Sequence, residues 1–118
     1  MNIVLDSNAL IMPFQYNINL DIEIEKILAK GDIYVPSCVI GELKRLSTKR
    51  WEAKAALQLA EKYKIVEVEK LGDKGVIEAA KKLKAIVVTN DRELAEKLKR
   101  EGIKIISLKQ NHLVMEYD

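Results

Sequence analysis

Two short apolar runs, Ile3-Val4-Leu5 and Ala85-Ile86-Val87-Val88, show no alternation with polar residues. Strands of that kind are buried on both faces and belong at the centre of a parallel sheet covered by helices. Around them the apolar spacing switches repeatedly between strand-like and helical. Leu20, Ile24, Ile27 and Leu28 share one helical face, which Gly31 ends. Ile33-Tyr34-Val35, closed by Pro36, reads as a second strand, and Ser37 is placed to cap a helix carrying Val39, Ile40, Leu43 and Leu46. A helix from about Arg50 to Tyr63 follows, and Ile65 to Glu69 alternates like a half-exposed strand. Asp73 is placed to cap a helix with Val76, Ala79, Ala80 and Leu83 inward. Asn90 does the same for one with Leu94, Ala95 and Leu98 inward, ended by Gly102. Ile103 to Ile106 reads as a fifth strand. Near the start, Ser7 to Met12 allows a helical turn that Pro13 disfavours continuing, and Phe14 to Asn19 reads as loop. The residues from Lys109 on, with Leu113-Val114-Met115, read as a short added strand or a docked tail.

Strands alternating with helices predict an α/β fold: three layers, α/β/α, around a mainly parallel five-stranded sheet. The strands at Ile65 and Ile103 carry charges and suit edges, which gives the order 3-2-1-4-5. The order reverses between strands 1 and 4, and ligands of open α/β sheets bind beyond the carboxyl ends of the strands at such a reversal. With 118 residues and no linker or repeat, one domain spanning residues 1–118 is expected.

Composition narrows the class of protein. An apolar fraction of 48% with 32% charged residues is that of a folded soluble chain, not of a disordered one. No run approaches the roughly 20 apolar residues of a membrane span, so no membrane partner is expected. MNIVLD has no basic leader, and Cys38 is the single cysteine, which leaves no intrachain disulfide framework and no cysteine zinc site; a cytoplasmic location follows as the expectation. The net charge of +2 hides an asymmetry: residues 1–36 carry −3 and residues 37–62 carry +3. A basic stretch beside an acidic one suits contact with nucleic acid, and equally suits ordinary surface charge.

Four acids fall at the carboxyl edge of the expected sheet. Asp6 ends the first strand, Glu42 lies early in the helix after the second, Asp73 opens the helix after the third, and Asp91 follows the fourth. Each alone reads equally as a turn residue, a solvated charge, a cap or a dipole compensator. Together they repel one another and raise each other's pKa, a state most readily sustained by a bound cation. Oxygen donors without histidine or cysteine select a hard divalent ion, Mg²⁺ or Mn²⁺, which keeps open positions for phosphate oxygens. That is the equipment of metal-assisted phosphodiester hydrolysis.

At these residues the chain resembles the PIN-domain ribonucleases. The matching segments are Ile3 to Asn8, Val39 to Leu46, Asp73 to Ala80 and Val87 to Leu94, so the likeness runs from about residue 3 to 108. Ala9 to Gln15 looks most like small archaeal members related to eukaryotic ribosomal-RNA processing nucleases, and less like the VapC toxins. The resemblance implies that Asp6, Glu42, Asp73 and Asp91 are catalytic and hold one or two Mg²⁺ or Mn²⁺ ions that activate water against the scissile phosphorus. It also implies that Ser7, Asn8, Thr89 and Asn90 orient the carboxylates or water. Relatives often carry a second acid after the third-motif aspartate; here Lys74 stands there, either weakening one ion site or binding phosphate.

Lys44, Arg45, Lys49, Arg50 and Lys54, with Arg92, are candidates for holding an RNA backbone. The other reading of the run is a solvated helix connection, and of Arg92 a solvated helix start. Trp51, inside the run, reads first as a packed residue and second as a stacking platform. Cys38 reads as a small buried residue and His112 as a surface or tail residue. The expected function is a Mg²⁺- or Mn²⁺-dependent endoribonuclease acting on RNA, with ribosomal-RNA processing as its setting. The alternatives are a catalytically weak RNA-binding or ribosome-assembly scaffold and a toxin-type ribonuclease of a toxin–antitoxin pair. A homodimer is expected, touching through Leu113-Val114-Met115 or the helices around Trp51, with a partner protein supplying specificity. A receiver-type signalling domain fits poorly, because Asp6 lacks a paired acid and Ser107-Leu108 follows the fifth strand.

Overall fold

The unalternated runs do take the central places. The computed structural model describes residues 1–116. Its strands are β1 (Asn2–Leu5), β2 (Asp32–Pro36), β3 (Lys64–Val66), β4 (Ile86–Val88), β5 (Ile105–Lys109) and β6 (His112–Glu116). They form one sheet in the order β3-β2-β1-β4-β5-β6, parallel throughout except for the antiparallel β5–β6 pair. The helices are α1 (Ser7–Tyr16), α2 (Leu20–Ile27), α3 (Ser37–Leu46), α4 (Trp51–Ala60), α5 (Gly72–Leu83) and α6 (Arg92–Arg100), and the whole is a three-layer α/β/α fold. Ile3, Val4, Leu5, Val87 and Val88 are fully buried, as strands covered on both sides require. Among the described residues, no helix is long and apolar enough to cross a membrane.

The sheet has six strands where five were expected. Gln110 and Asn111 both take positive φ, 51° and 65°, and turn β5 back into β6. Positive φ at both central residues gives the two-residue turn whose twist matches that of paired strands. Gln-Asn lacks the usual glycine, so the turn was hard to read from sequence. The added strand also moves the edge: β5 pairs with β6 and is an inner strand, with Ile105, Ile106 and Ser107 buried. Leu113 is buried within its own chain, not offered to a second copy.

Several helix ends differ from expectation. α1 runs through Pro13 to Tyr16, and Asn17, at φ 55°, closes it with its N–H on Pro13 O at 3.1 Å. Burial of Leu10, Ile11 and Met12 outweighs the one hydrogen bond that proline forfeits. Ser37 does not cap α3: its Oγ accepts the Val68 N–H at 3.0 Å and donates to Val68 O at 3.4 Å, pinning the chain where it leaves β3. Asp73 does not cap α5; Leu71 holds that position, and Gly72 turns the chain at φ 59°, a conformation glycine adopts at little cost. The cap of α6 is Asp91, not Asn90. β3 is shorter than the alternation suggested, and α4 ends at Ala60 rather than near Tyr63.

One buried carboxylate ties the sixth strand to the second helix. Glu23 accepts the Leu113 N–H at 3.1 Å, and Lys26 Nζ and His112 Nδ1 lie at 3.2 and 3.3 Å from it. The Leu113 N–H, followed by the Lys26 and His112 contacts, holds this carboxyl below the usual carboxylate range. Glu23→Ala leaves a buried N–H unpaired and lowers stability by about 1–3 kcal/mol. The expected reading is a lower urea midpoint with an unchanged slope.

Candidate active site

Register brings the first acid beside the residue that leads to the fourth. Leu5 pairs with Val88 across β1 and β4, so the next residues, Asp6 and Thr89, leave the sheet side by side. Asp6 caps α1: its Oδ1 accepts the Ala9 N–H at 2.7 Å, and Thr89 Oγ1 donates to its Oδ2. Both carboxylate oxygens are therefore fixed in direction. Asp6 is 5% exposed. Burial, reinforced by the charges of Asp91 and Glu42 and opposed by the Thr89 and Ala9 bonds, pushes its carboxyl up to about 7.

The other acids arrive on helices that start at the same edge. Glu42 projects from α3, and Asp73 sits in the first turn of α5. Asp91 caps α6, its Oδ1 accepting the Glu93 and Leu94 N–H groups at 2.9 and 3.2 Å. Asp6, Glu42, Asp73 and Asp91 line one cavity of about 120 Å³. Ser7, Asn8 and Arg45 complete its polar wall, while Val39, Val76 and Leu94 supply much of the apolar one. Cys38 also lines it; the residue is buried, which raises its thiol above the ordinary value.

The polar residues around the acids form a brace. Thr89 Oγ1 takes the Asp91 N–H at 3.1 Å while holding Asp6. Asn8 Oδ1 accepts the Asn90 N–H at 3.0 Å, and Asn90 Oδ1 accepts the Leu108 N–H at 3.2 Å. Asn90 thus links the start of α1 to β5.

Of the basic candidates, Arg45 lines the cavity and the rest do not. Arg92 does not line the cavity; it lies 3.2 Å from Glu116 and is largely exposed, which suits its reading as a solvated helix start. Arg50 lies 3.8 Å from Glu52. Lys74 does not line the acid cavity either; it lines a separate hollow with Glu78 and Glu101. The lysine at the acid cluster is Lys97 of α6, whose Nζ lies 3.0 Å from Asp73 Oδ2 and 3.7 Å from Glu93. Sequence reading missed it because Lys97 and Asp73 are 24 positions apart; the legible signal was the Glu93–Lys97 pair one helical turn apart. Trp51 is not packed away but 65% exposed, with its ring edge-to-face on Phe14.

Among the described residues, no three acid, histidine or cysteine side chains stand close enough to cage an ion. Carboxylates lining a small polar cavity without closing on it still fit a hydrated hard cation, which binds through one or two carboxylates and keeps several waters.

Fold and cleft together define an α/β protein with an acidic cleft at the reversal of its strand order. Residues 3–111 match the model of the PIN-like domain family. The chain is 36% identical over 118 residues to ribonuclease VapC4 of Methanocaldococcus jannaschii, covering 92% of this chain and 90% of that one. It is 45% identical over 62 residues to ribonuclease VapC9 of Archaeoglobus fulgidus, a match spanning 52% of this chain and 46% of the relative. This chain belongs to the PIN-domain ribonuclease family. Its fold is shared with the PIN domain endonuclease Utp24, at a TM-score of 0.84 and 24% identity over 98% of this chain and 90% of that one. It is shared also with a domain of a functionally unknown protein from Methanocaldococcus jannaschii, at 0.70 and 18% over 99% and 97%.

Proposed function

We propose that this protein is a divalent-metal-dependent endoribonuclease that hydrolyses RNA phosphodiesters, with Asp6, Glu42, Asp73 and Asp91 as its ion-holding carboxylates. The carrying observation is that these four acids, dispersed in sequence, line one cavity at the carboxyl edge of the parallel strands. Full-length similarity to an archaeal ribonuclease supports the same reading. When bound, Mg²⁺ or Mn²⁺ supplies Lewis-acid chemistry: it polarises phosphate oxygens and makes water a stronger nucleophile. The chain's own residues do the positioning. Thr89 and the Ala9 N–H aim the Asp6 oxygens, the α6 cap holds Asp91, and Arg45 offers phosphate a cation at the cleft wall. The apolar wall strengthens these interactions by lowering the local dielectric. In the reaction a water oxygen bonds to phosphorus, the bond to the leaving ribose oxygen breaks, and that oxygen takes up a proton. Purified protein should cut single-stranded RNA with Mg²⁺ or Mn²⁺ and stop with a chelator; cleavage undiminished by the chelator would reject the mechanism.

The relatives' names favour a toxin-type ribonuclease as the cellular setting over ribosomal-RNA processing. Induced expression should then arrest growth, and Asp6→Asn should not. Defined cuts in precursor ribosomal RNA without arrest would favour the processing role. The scaffold reading is disfavoured by the complete acid quartet and fails outright if the protein cleaves RNA.

Lys97 bears on the number of ions. Its ammonium meets the charge of Asp73, so a second divalent cation has a competitor within the chain. Calorimetric Mn²⁺ titration should show one tight ion in the wild type and a strengthened second one in Lys97→Met. Two equally tight ions in the wild type would remove this role.

The basic run of Lys44, Arg45, Lys49 and Arg50 is proposed to follow the RNA backbone. Neutralising Arg45, Lys49 and Arg50 together should lower the slope of log affinity against log salt by about 0.7 per lost phosphate contact. An unchanged slope would return these residues to solvated surface.

A further inference from the structure

Trp51 is the single tryptophan of the chain and is 65% exposed. An indole ring standing in water keeps its flat face available for stacking. Its placement sets what that face can meet. α3 carries Glu42 and Arg45 into the acid cleft and ends at Leu46, and the connection to α4 delivers Trp51 as the first residue of that helix. Trp51 is six positions after Arg45 in the chain, so their Cα atoms lie within about 20 Å of one another. Lys49, Arg50 and Lys54 lie within three positions of Trp51 in the chain, with Glu52 as the only acid of that stretch. The edge-to-face contact with Phe14, at 6.3 Å between centroids and 76° between planes, holds the indole without covering it.

We propose that Trp51 is a stacking platform for an unpaired base of single-stranded RNA whose backbone runs along the basic residues toward the cleft. This deepens the ribonuclease reading and rests on it. An aromatic face beside cations is the combination that binds single strands with little regard to sequence, since every base has a face to stack. Duplex RNA offers no such face, so the surface selects unpaired substrate. The local positive charge favours a polyanion here over a second copy of the same basic stretch.

The test uses the fluorescence of this lone tryptophan in Asp6→Asn protein, so that the probe is not consumed. Oligouridylate should quench the emission, whereas an abasic ribose-phosphate strand of equal length should bind without quenching. Filter binding of end-labelled oligouridylate, which needs no tryptophan, should show Trp51→Ala weakened by about fivefold or more with an unchanged salt slope and a retained circular-dichroism spectrum; Trp51→Phe should restore most of the affinity. Equal quenching by the abasic strand, or unchanged affinity in Trp51→Ala, would overturn the platform while leaving the ribonuclease reading intact. Emission that shifts with protein concentration alone, together with a dimer in light scattering that Trp51→Ala abolishes, would assign the ring to self-association instead. Failure of the wild type either to bind or to cleave RNA would remove the platform and the ribonuclease reading together.

Discussion

Asp6→Asn, Glu42→Gln and Asp91→Asn are each expected to reduce metal-dependent cleavage of single-stranded RNA by roughly a hundredfold or more while the protein stays folded. Each substitution removes one negative donor at nearly constant shape. A Lewis-acid contribution of several kcal/mol to the transition state is lost if the ion is lost or displaced, and each 1.36 kcal/mol is about tenfold in rate. Asp6 should be the most sensitive, because Thr89 and the Ala9 N–H leave its oxygens no freedom to compensate. Single-turnover cleavage of a labelled strand, with circular dichroism as a check on folding, measures this. Robust cleavage by purified Asp6→Asn would reject the assigned site.

The second large effect concerns stability in metal-free buffer. The Asp6 carboxyl titrates at about 7 in the folded protein, against an ordinary value near 4. Between those values the native state holds a proton that the unfolded chain has released, so stability falls as pH rises through this window. A rise from near 4 to about 7 corresponds to about 4 kcal/mol at most, fully lost above pH 7. Asp6→Asn lacks this ionisation. It should therefore unfold at higher urea than the wild type at pH 8, and the difference should shrink toward pH 4. Parallel urea midpoints across that range would show that burial of Asp6 does not strain the fold. The same carboxylate that disables the enzyme when neutralised should, in this way, stabilise the molecule.

Glu23 has the opposite sign. Its carboxyl is held low by the Leu113 N–H, so its contribution is present above the unfolded pKa and is lost as pH falls through the folded one. Asp6 and Glu23 are both buried, and their environments differ in one respect. Glu23 meets donors and cations, whereas Asp6 meets two donors and two further acids.

Much of the architecture was legible because it depends on local periodicity. The unalternated runs at Ile3 and Ala85 placed two strands at the centre, and the acids that follow the strands then had to share an edge. What proved hard to read were choices between neighbours of equal chemistry. Asn90 and Asp91 are both good caps, and the structure gives the cap to Asp91 because Asn90 is engaged with Asn8 and Leu108. Ser37 has the chemistry of a cap but spends its hydroxyl on Val68, a partner 31 residues away.

The amino-acid sequence by itself determined the strand order from β1 to β5, the edge at which Asp6, Glu42, Asp73 and Asp91 gather, and the family. The strand order and the shared edge follow from hydrophobic period, which acts over a few residues at a time, and the family from the resemblance of four short segments around those acids. The tertiary structure alone decided that Lys97 and not Lys74 meets Asp73, that Arg92 turns to Glu116, and that Trp51 stands in solvent. Each of those outcomes depends on where a long side chain finds its partner across elements distant in sequence, and no local pattern encodes that distance.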